Sequence, residues 1–162
     1  MGRSLSRQRS VGLLLGASVR CLKQGVTRRV QHHGLTPRQF GVLVALFETG
    51  PSTLHELALR IGIDDPTASR VVKALARRRL VRGRRDADDR RLVRLEATPA
   101  ARRMRDPLLA VARELRTAVV CGFSPSELRA LLTGLARVHE NARGYANAVG
   151  ASNEEGRAGG SA

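Results

Sequence analysis

The stretch TLHELALRIGIDDPTASRVVKALARRR, residues 53–79, decides the fold. Apolar side chains recur at three- and four-residue intervals on both sides of its centre, GIDD at 62–65, and this spacing is typical of amphipathic helices. The centre combines a glycine with two aspartates, which can end one helix and begin another. The stretch therefore predicts helices at 53–61 and 66–79. Together they form a helix-turn-helix, the arrangement that sets a second helix into the major groove of DNA.

The outward face of the second helix carries polar groups suited to DNA. Asp65 is expected as its N-cap and Pro66 lies in its first turn, beside the hydroxyls and the guanidinium that direct base readout requires. Two further cations lie nearer its end, where phosphates would be met. Thr53, the cap of the preceding helix, is added to this set. The predicted DNA-binding residues of the helix-turn-helix are therefore Thr53, Pro66, Thr67, Ser69, Arg70, Lys73 and Arg77. For this helix alone, a merely solvated polar face is an equal alternative.

The next stretch, VRGRRDADDRRLVRLEAT at 81–98, predicts a β-hairpin with a charged tip, since it holds six arginines and three aspartates. Aspartates can reverse the chain, but a turn does not require arginines. A basic hairpin directly after a helix-turn-helix is typical of a wing, whose tip can reach the minor groove. The predicted wing contacts are Arg84, Arg85, Arg90 and Arg91, with Asp86 and Asp89 holding neighbouring arginines in charge-assisted pairs. A solvated turn whose charges cancel is the alternative.

The charge of the whole chain is concentrated around this unit. The 162 residues carry a formal net charge of +15. Residues 70–105 hold 14 Lys or Arg against 4 Asp or Glu, a net of +10. Such a patch predicts a polyanionic partner. The rival interpretation is a basic winged-helix module that binds DNA or RNA non-specifically, but one Tyr, three Phe and no Trp give it few stacking aromatics.

Helix signals elsewhere predict a mainly α fold with one small β-hairpin. Further helices are expected at about 10–33, 37–49, 99–121 and 125–149. Pro107 interrupts the third of these, so either Asp106 caps a new helix or the helix kinks. Residues 1–9 are expected to be a flexible basic N-terminus, and the Gly-rich residues 150–162 a disordered tail.

The apolar stripe of the last helix is longer than the winged unit can cover. At ~1.5 Å per residue, a helix over 125–149 spans roughly 37 Å. We expect the first helix and the same helices of a second copy to bury the stripe, which predicts a homodimer. A monomeric helical bundle is the alternative. The predicted dimerisation residues are Leu15, Leu22, Leu128, Leu131, Leu135, Val138 and Tyr145.

Catalytic and metal-binding patterns do not stand out. The two cysteines lack metal or disulfide spacing, and the four histidines lack ligand spacing, so no enzyme activity, cofactor or metal is predicted. The arginine-rich start followed by VGLLLGASV at 11–19 imitates a secretory signal, but its apolar positions continue as one face of a helix. No apolar run approaches the ~20 residues of a membrane span. A cytoplasmic protein without a membrane partner is expected.

The predicted helices and wing resemble the MarR family of bacterial transcriptional regulators. The family's wing signature reads approximately Asp-Pro-x-Asp-Arg-Arg and, a few residues later, Leu-Thr-x-x-Gly. Here DADDRR at 86–91 and EATPAA at 96–101 stand in those places, and LTPRQFGVLVAL and FSPSEL resemble the starts of two family helices. Three alanines depart from the pattern at Ala87, Ala97 and Ala101. Arg79 stands where a glycine often closes the recognition helix.

The resemblance implies a MarR-like domain over 10–149, with a DNA-binding winged helix-turn-helix at 36–98 and dimerisation helices at 10–33 and 99–149. It implies a sequence-specific homodimer on a pseudopalindromic operator of double-stranded DNA, usually as a repressor that a ligand relieves.

Two regulatory sites follow from the same resemblance. A cleft beside the DNA lobe often binds phenolic or other anionic aromatic compounds in the family, and its candidate lining here is Arg20, Phe40, Val44 and Phe47. Some members sense peroxides through a cysteine in the first helix. Cys21 lies between Arg20 and Lys23, whose charges favour a thiolate, so a redox role is the hypothesis and an inert buried thiol the alternative.

Overall fold

The computed structural model describes the backbone of residues 2–158 and the side chains of residues 11–148. The helices are α1 Gly2–Val30, α2 Pro37–Thr49, α3 Leu54–Ile61, α4 Asp65–Arg77, α5 Pro99–Arg102, α6 Arg105–Val120 and α7 Pro125–Ala158. A 3-10 turn at Gln31–His33 follows α1, and the strands are β1 Val81–Arg85 and β2 Val93–Ala97. The mainly α fold with one hairpin is confirmed. The chain divides into two compact units, one up to Thr117 and one from Ala118.

Helix α2 is the centre of the core of the first unit. Residues 42–46 are all buried, so this helix is covered on every side rather than along one stripe. Helices α3 and α4 each bury one face, with Leu57 of α3 and Leu75 of α4 almost completely inaccessible. Leu80 and Leu95 bring the hairpin into the same cluster. The helix-turn-helix and the wing therefore form one packed lobe.

Side-chain caps begin α2, α3 and α4, and the cap of α3 at Thr53 is the predicted one. Thr53 and Glu56 satisfy each other's backbone amides in a capping box, with 2.7 Å from the Thr53 N–H to Glu56 Oε2. The predicted N-cap of α4 is wrong by one position. Asp64, not Asp65, accepts the Thr67 N–H at 2.7 Å, because α4 begins at Asp65. Asp65 is paired with the His55 ring at 3.2 Å instead.

The hairpin is antiparallel, with Val81 opposite Ala97 and Arg85 opposite Val93. The sequence pattern predicts short strands at 80–81 and 92–95. The observed β1 extends further toward the tip, to Arg85, whereas β2 begins one residue later and extends away from the tip to Ala97. Ser52, just before α3, exchanges two backbone hydrogen bonds with Leu95, at 3.0 and 2.8 Å. This bridge fastens the wing to the start of the helix-turn-helix.

The segment after the wing is two helices rather than one. Thr98 caps α5 by accepting the Ala101 N–H at 3.2 Å, and α6 starts afresh at Arg105. Pro107 then lies in the first turn of α6, where a missing N–H costs no helical hydrogen bond. Of the two predicted alternatives, the new helix is therefore correct, although Asp106 lies inside its first turn rather than before it.

Both terminal helices extend beyond their predicted bounds. The backbone is helical from residue 2, where a flexible segment up to residue 9 was expected, and it stays helical through residue 158. Arg, Gln, Leu, Glu and Ala in these segments are good helix formers, so a helix that has already formed can continue across them. Residue 1 and residues 159–162, which complete the predicted flexible ends, lie outside the described residues.

Candidate nucleic-acid interface

Helix α4 presents its cations to solvent because its other face is anchored in the core. Arg70, Lys73 and Arg77 are exposed, and their three- and four-residue spacing places them along one side of the helix. Ser69 is half-buried beside them, and Pro66 is exposed at the start of the helix. These five predicted residues therefore have the access that a contact with DNA requires.

Thr67 does not have the outward position that the sequence predicts. Its side chain is buried, with 8% exposed. The Thr67 hydroxyl donates to Asp64 Oδ2 at 2.9 Å and accepts from Arg70 Nη2 at 3.1 Å. Hydrogen bonds from the Thr67 backbone and hydroxyl lower the pKa of Asp64. Thr67 thus links the N-cap of α4 to the guanidinium of Arg70. A helical-face pattern cannot reveal this link, because it depends on which way the hydroxyl turns.

Thr53 is also occupied inside the lobe. It is half-buried, and its hydroxyl accepts the Glu56 N–H at 3.3 Å as part of the capping box. The same cap is the first cause of a lowered pKa at Glu56. Its observed contacts are therefore those of a residue that positions α3, whereas the sequence placed it among the DNA contacts.

The tip of the wing exposes the four arginines that the sequence singled out: Arg84, Arg85, Arg90 and Arg91. The aspartates hold the backbone of the turn beneath them. Asp86 Oδ1 accepts the N–H groups of Asp88 and Asp89 at 2.9 and 3.1 Å, and Asp89 Oδ1 accepts the Arg91 N–H at 2.9 Å. The predicted pairing of these aspartates with the arginines at the tip is therefore not what the structure shows.

Arg94 is the arginine that Asp86 does hold, and the sequence prediction omitted it. Arg94 Nε donates to Asp86 Oδ2, and Arg94 Nη1 lies 3.6 Å from Glu56 Oε2 on α3. The bond from Arg94, followed by the two backbone N–H groups, lowers the pKa of Asp86 to about 2. Arg94 thus joins the turn of the wing to the helix-turn-helix. The hairpin register sets Asp86 just beyond the Arg85–Val93 pair, diagonally across from Arg94, and this is the signal that could have found the contact.

The predicted ligand-cleft residues have different environments. Phe40 and Val44 are buried in the core of the lobe, Phe47 packs against that core from a half-buried position, and Arg20 is exposed on α1. Phe40 and Val44 are therefore core residues in this chain rather than the walls of an open cleft. The sequence missed this because α2 is apolar on every side, so its inward and outward positions look alike.

The other predicted positions lie on the two terminal helices. Cys21 is exposed on α1 in the single chain. Leu131, Leu135 and Tyr145 of α7 are 39%, 38% and 75% exposed. The remaining predicted dimerisation residues, Leu15, Leu22, Leu128 and Val138, are half-buried. Within the described part of the chain, no helix combines the length and apolar character that a bilayer crossing demands.

Comparisons with known proteins find similarity to bacterial transcriptional regulators. The MarR family model matches residues 33–92. The chain is 33% identical to the HTH-type transcriptional repressor NicR of Pseudomonas putida over 98 residues, which are 60% of this chain and 62% of NicR. The matched part therefore spans less than two thirds of that curated relative.

Two solved structures can be superposed on this chain over nearly their whole length. A probable transcriptional regulator from Pseudomonas aeruginosa is 31% identical, with a TM-score of 0.62 over 79% of this chain and 96% of its own. BpsR of Bordetella bronchiseptica is 27% identical, with a TM-score of 0.65 over 80% of this chain and 98% of its own. The BpsR structure concerns the regulation of its DNA binding by 6-hydroxynicotinic acid.

Proposed function

We propose that this protein, which belongs to the MarR family of winged-helix regulators, is a cytoplasmic transcriptional repressor that binds a pseudopalindromic operator as a homodimer. The observation that carries the proposal is the exposed row of cations on α4, held outward by a buried opposite face and followed by a wing with four exposed arginines. The relationship to the repressor NicR supports the same function.

Helix α4 would lie in the major groove. Arg70 is our choice for direct readout, since a guanidinium can donate two parallel hydrogen bonds to guanine, and Ser69 would contact a neighbouring base edge or phosphate. Lys73 and Arg77 would contact phosphates further along the helix. Thr67 would act through Arg70, because its hydroxyl fixes one guanidinium nitrogen before DNA binds and so leaves less rotamer freedom to lose.

The wing would enter the minor groove. Arg91 is our choice for the deepest insertion, since it matches the second arginine of the family's wing signature, and Arg90 would lie beside it. A narrow A·T-rich groove concentrates negative potential that a guanidinium can meet. Arg84 and Arg85 on β1 would contact phosphate. Asp86, Asp89 and Arg94 would keep the turn in shape while the free arginines bind.

The dimer would form through α1, α6 and α7, each of which leaves large apolar side chains exposed to a second copy, among them Leu13, Val119 and Leu132. A homodimer sets two winged-helix lobes on two half-sites, so its two-fold symmetry matches a pseudopalindrome. Sensitivity to a small anionic aromatic compound completes the proposal, and the regulation of BpsR by 6-hydroxynicotinic acid supports it. Arg20 and Phe47 are the predicted cleft residues that remain accessible, and Cys21 is exposed to oxidants.

The decisive experiment is a selection of duplexes from random DNA by the purified protein, followed by a footprint on the DNA flanking its own coding region. We expect a pseudopalindrome that is preferred over random duplex even at about 0.2 M salt, where non-specific phosphate contacts have weakened. Equal affinity for every duplex, or a preference for RNA, would instead establish the non-specific module.

A further inference from the structure

Three consecutive arginines, Arg77 to Arg79, lie in three different environments at the end of α4. Arg77 is the last helical residue and is exposed to solvent. Arg79 has a φ of +56°, in the left-handed region. Arg78, between them, turns its guanidinium toward the far end of α1. A run of like charges in the sequence therefore hides one residue with long-range partners.

The partners of Arg78 are two adjacent backbone carbonyls. Arg78 Nη1 donates to the Gly34 carbonyl at 2.7 Å, and Nη2 donates to the His33 carbonyl at 3.1 Å. These carbonyls close the 3-10 turn that continues α1. Carbonyls at the end of a helix lack intrahelical donors and carry partial negative charge, so a guanidinium suits them. Arg78 therefore caps the end of α1 from a position 44 residues further along the chain.

The chain beyond Arg78 is fixed from the other side. The Leu80 N–H donates to the Leu75 carbonyl at 3.0 Å, which closes the end of α4. The Thr98 hydroxyl donates to the Arg79 carbonyl at 2.7 Å, and the Thr98 N–H donates to the Leu80 carbonyl at 3.0 Å. The C-terminal end of α4 is thus held between the end of α1 and the residue that follows the wing.

We propose that Arg78 is a positioning residue that fixes the end of the recognition helix α4 to the end of α1 and thereby sets the spacing of the two recognition helices in a dimer. This inference rests on the proposed function. It needs no contact between Arg78 and DNA, because two guanidinium nitrogens are already committed to α1. If α1 belongs to the dimer interface, any freedom between α1 and α4 becomes freedom in the separation of half-sites.

The test compares Arg78→Ala, Arg78→Lys and Arg77→Ala on one duplex selected by the wild-type protein, and on two versions with one base pair added or removed between half-sites. For Arg78→Ala we expect about tenfold weaker binding to the selected duplex, as for lost hydrogen bonds to a charged group. We expect an unchanged salt slope and a smaller preference for the original spacing. Arg78→Lys, which can still donate to a carbonyl, should restore part of that preference.

Arg77→Ala is the matched control for a phosphate contact. It should reduce the salt slope by roughly one unit and leave the spacing preference intact. The same behaviour in Arg78→Ala would overturn the inference, since Arg78 would then be a phosphate ligand. Wild-type behaviour of Arg78→Ala would overturn it too.

Hydrogen exchange without DNA separates this inference from the proposed function. Arg78→Ala should speed exchange of the Gly34, Leu35 and Leu80 amides, which lie on the two sides of the contact. Unchanged exchange at all three amides would contradict the fixation of α4 to α1. A wild-type protein that selects no duplex would refute the proposed function, and with it the role in spacing, while leaving the exchange result to report on the contact itself.

Discussion

The winged-helix lobe and the terminal helices use the same apolar residue types in opposite ways. In the lobe, Leu43 and Leu75 are completely buried within one chain. On α1, Leu13 is 73% exposed, and on α7 Leu132 is 57% and Tyr145 75% exposed. A core that closes within one chain, with Val26 and Val30 of α1 among its buried residues, can hold the exposed cations of α4 in place without a second copy. Large exposed apolar side chains on α1 and α7 are what the proposed homodimer would bury. We call the winged-helix lobe, which is proposed to read DNA, the reading unit, and the exposed stretches of α1 and α7, which are proposed to form the dimer, the assembly elements.

The largest expected effect comes from the assembly elements. Replacing Leu131 and Leu135 together by Asp should abolish the homodimer and cooperative DNA binding, because the interface would bury unpaired carboxylates. The lobe should stay folded. Sedimentation equilibrium gives the mass and circular dichroism the fold.

The matched control places aspartates on the opposite side of α7, at Thr133 and Arg137, and should remain dimeric. A folded wild-type monomer at micromolar concentration would contradict the proposed homodimer, since the apolar stripe of α7 would then need no second copy.

A smaller effect tests the reading unit. Arg70→Ala should cost ~1–3 kcal/mol on the operator and much less on random duplex, as for a lost base contact. Thr67→Val, which keeps the shape but removes the hydroxyl, should lose part of the same margin, whereas Thr67→Ser should keep it. Binding titrations on both duplexes measure the margin.

The double variant shows whether Thr67 acts through Arg70. In an Arg70→Ala background, Thr67→Val should have no further effect on the operator margin. An undiminished effect there would mean that the hydroxyl matters only for the cap of α4.

How far the sequence could predict this molecule depends on the range of each interaction. Capping boxes such as that at Thr53 join residues three apart, so spacing alone reveals them. The roles of Arg78 and Arg94 were not predicted because Arg78 bonds to carbonyls 44 and 45 residues away, and Arg94 is brought to Glu56 of α3 only by the pairing of the two strands. The inward position of Thr67 was not predicted for a local reason, since a hydroxyl on the first turn of a helix can point either outward or toward the helix's own N-cap.

The same difference between local patterns and long-range packing separates the predictable residues of the candidate site from the unpredictable ones. Exposure of Arg70 follows from helical periodicity, and exposure of Arg91 follows from its place in the charged turn of the hairpin; the sequence displays both. Burial of Phe40 and Val44 does not, because a helix that is apolar on every side shows no preferred face. Ends of helices were the least predictable feature, as the extension of α7 to residue 158 shows.

A third effect, in the wing, is smaller because the contact is electrostatic. Arg91→Ala should weaken binding to all duplexes and reduce the salt slope by roughly one unit, as for one lost phosphate-type contact. Asp89→Asn should change the slope less, because its main contact is with the Arg91 backbone N–H. Titrations from about 0.05 to 0.2 M salt measure both slopes. Unchanged affinity and slope in folded Arg91→Ala would assign the exposed tip to solvent.

The smallest effect concerns stability and lies wholly within the lobe. Arg79 has a φ of +56°, a conformation that costs a residue with a Cβ roughly 1–2 kcal/mol. Glycine would remove this cost but would lose about 0.5–1 kcal/mol through its freer unfolded chain. Arg79→Gly should therefore stabilise the lobe by about 0.5–1 kcal/mol. The hydrogen bonds of the Arg79 backbone to Ala76 and Thr98 would be retained.

Urea unfolding measured alongside sedimentation should show a higher midpoint with an unchanged dimer dissociation constant, because Arg79 lies in the part of the molecule that is complete without a partner. A lower midpoint would mean that the arginine side chain contributes more to the end of α4 than its backbone conformation costs.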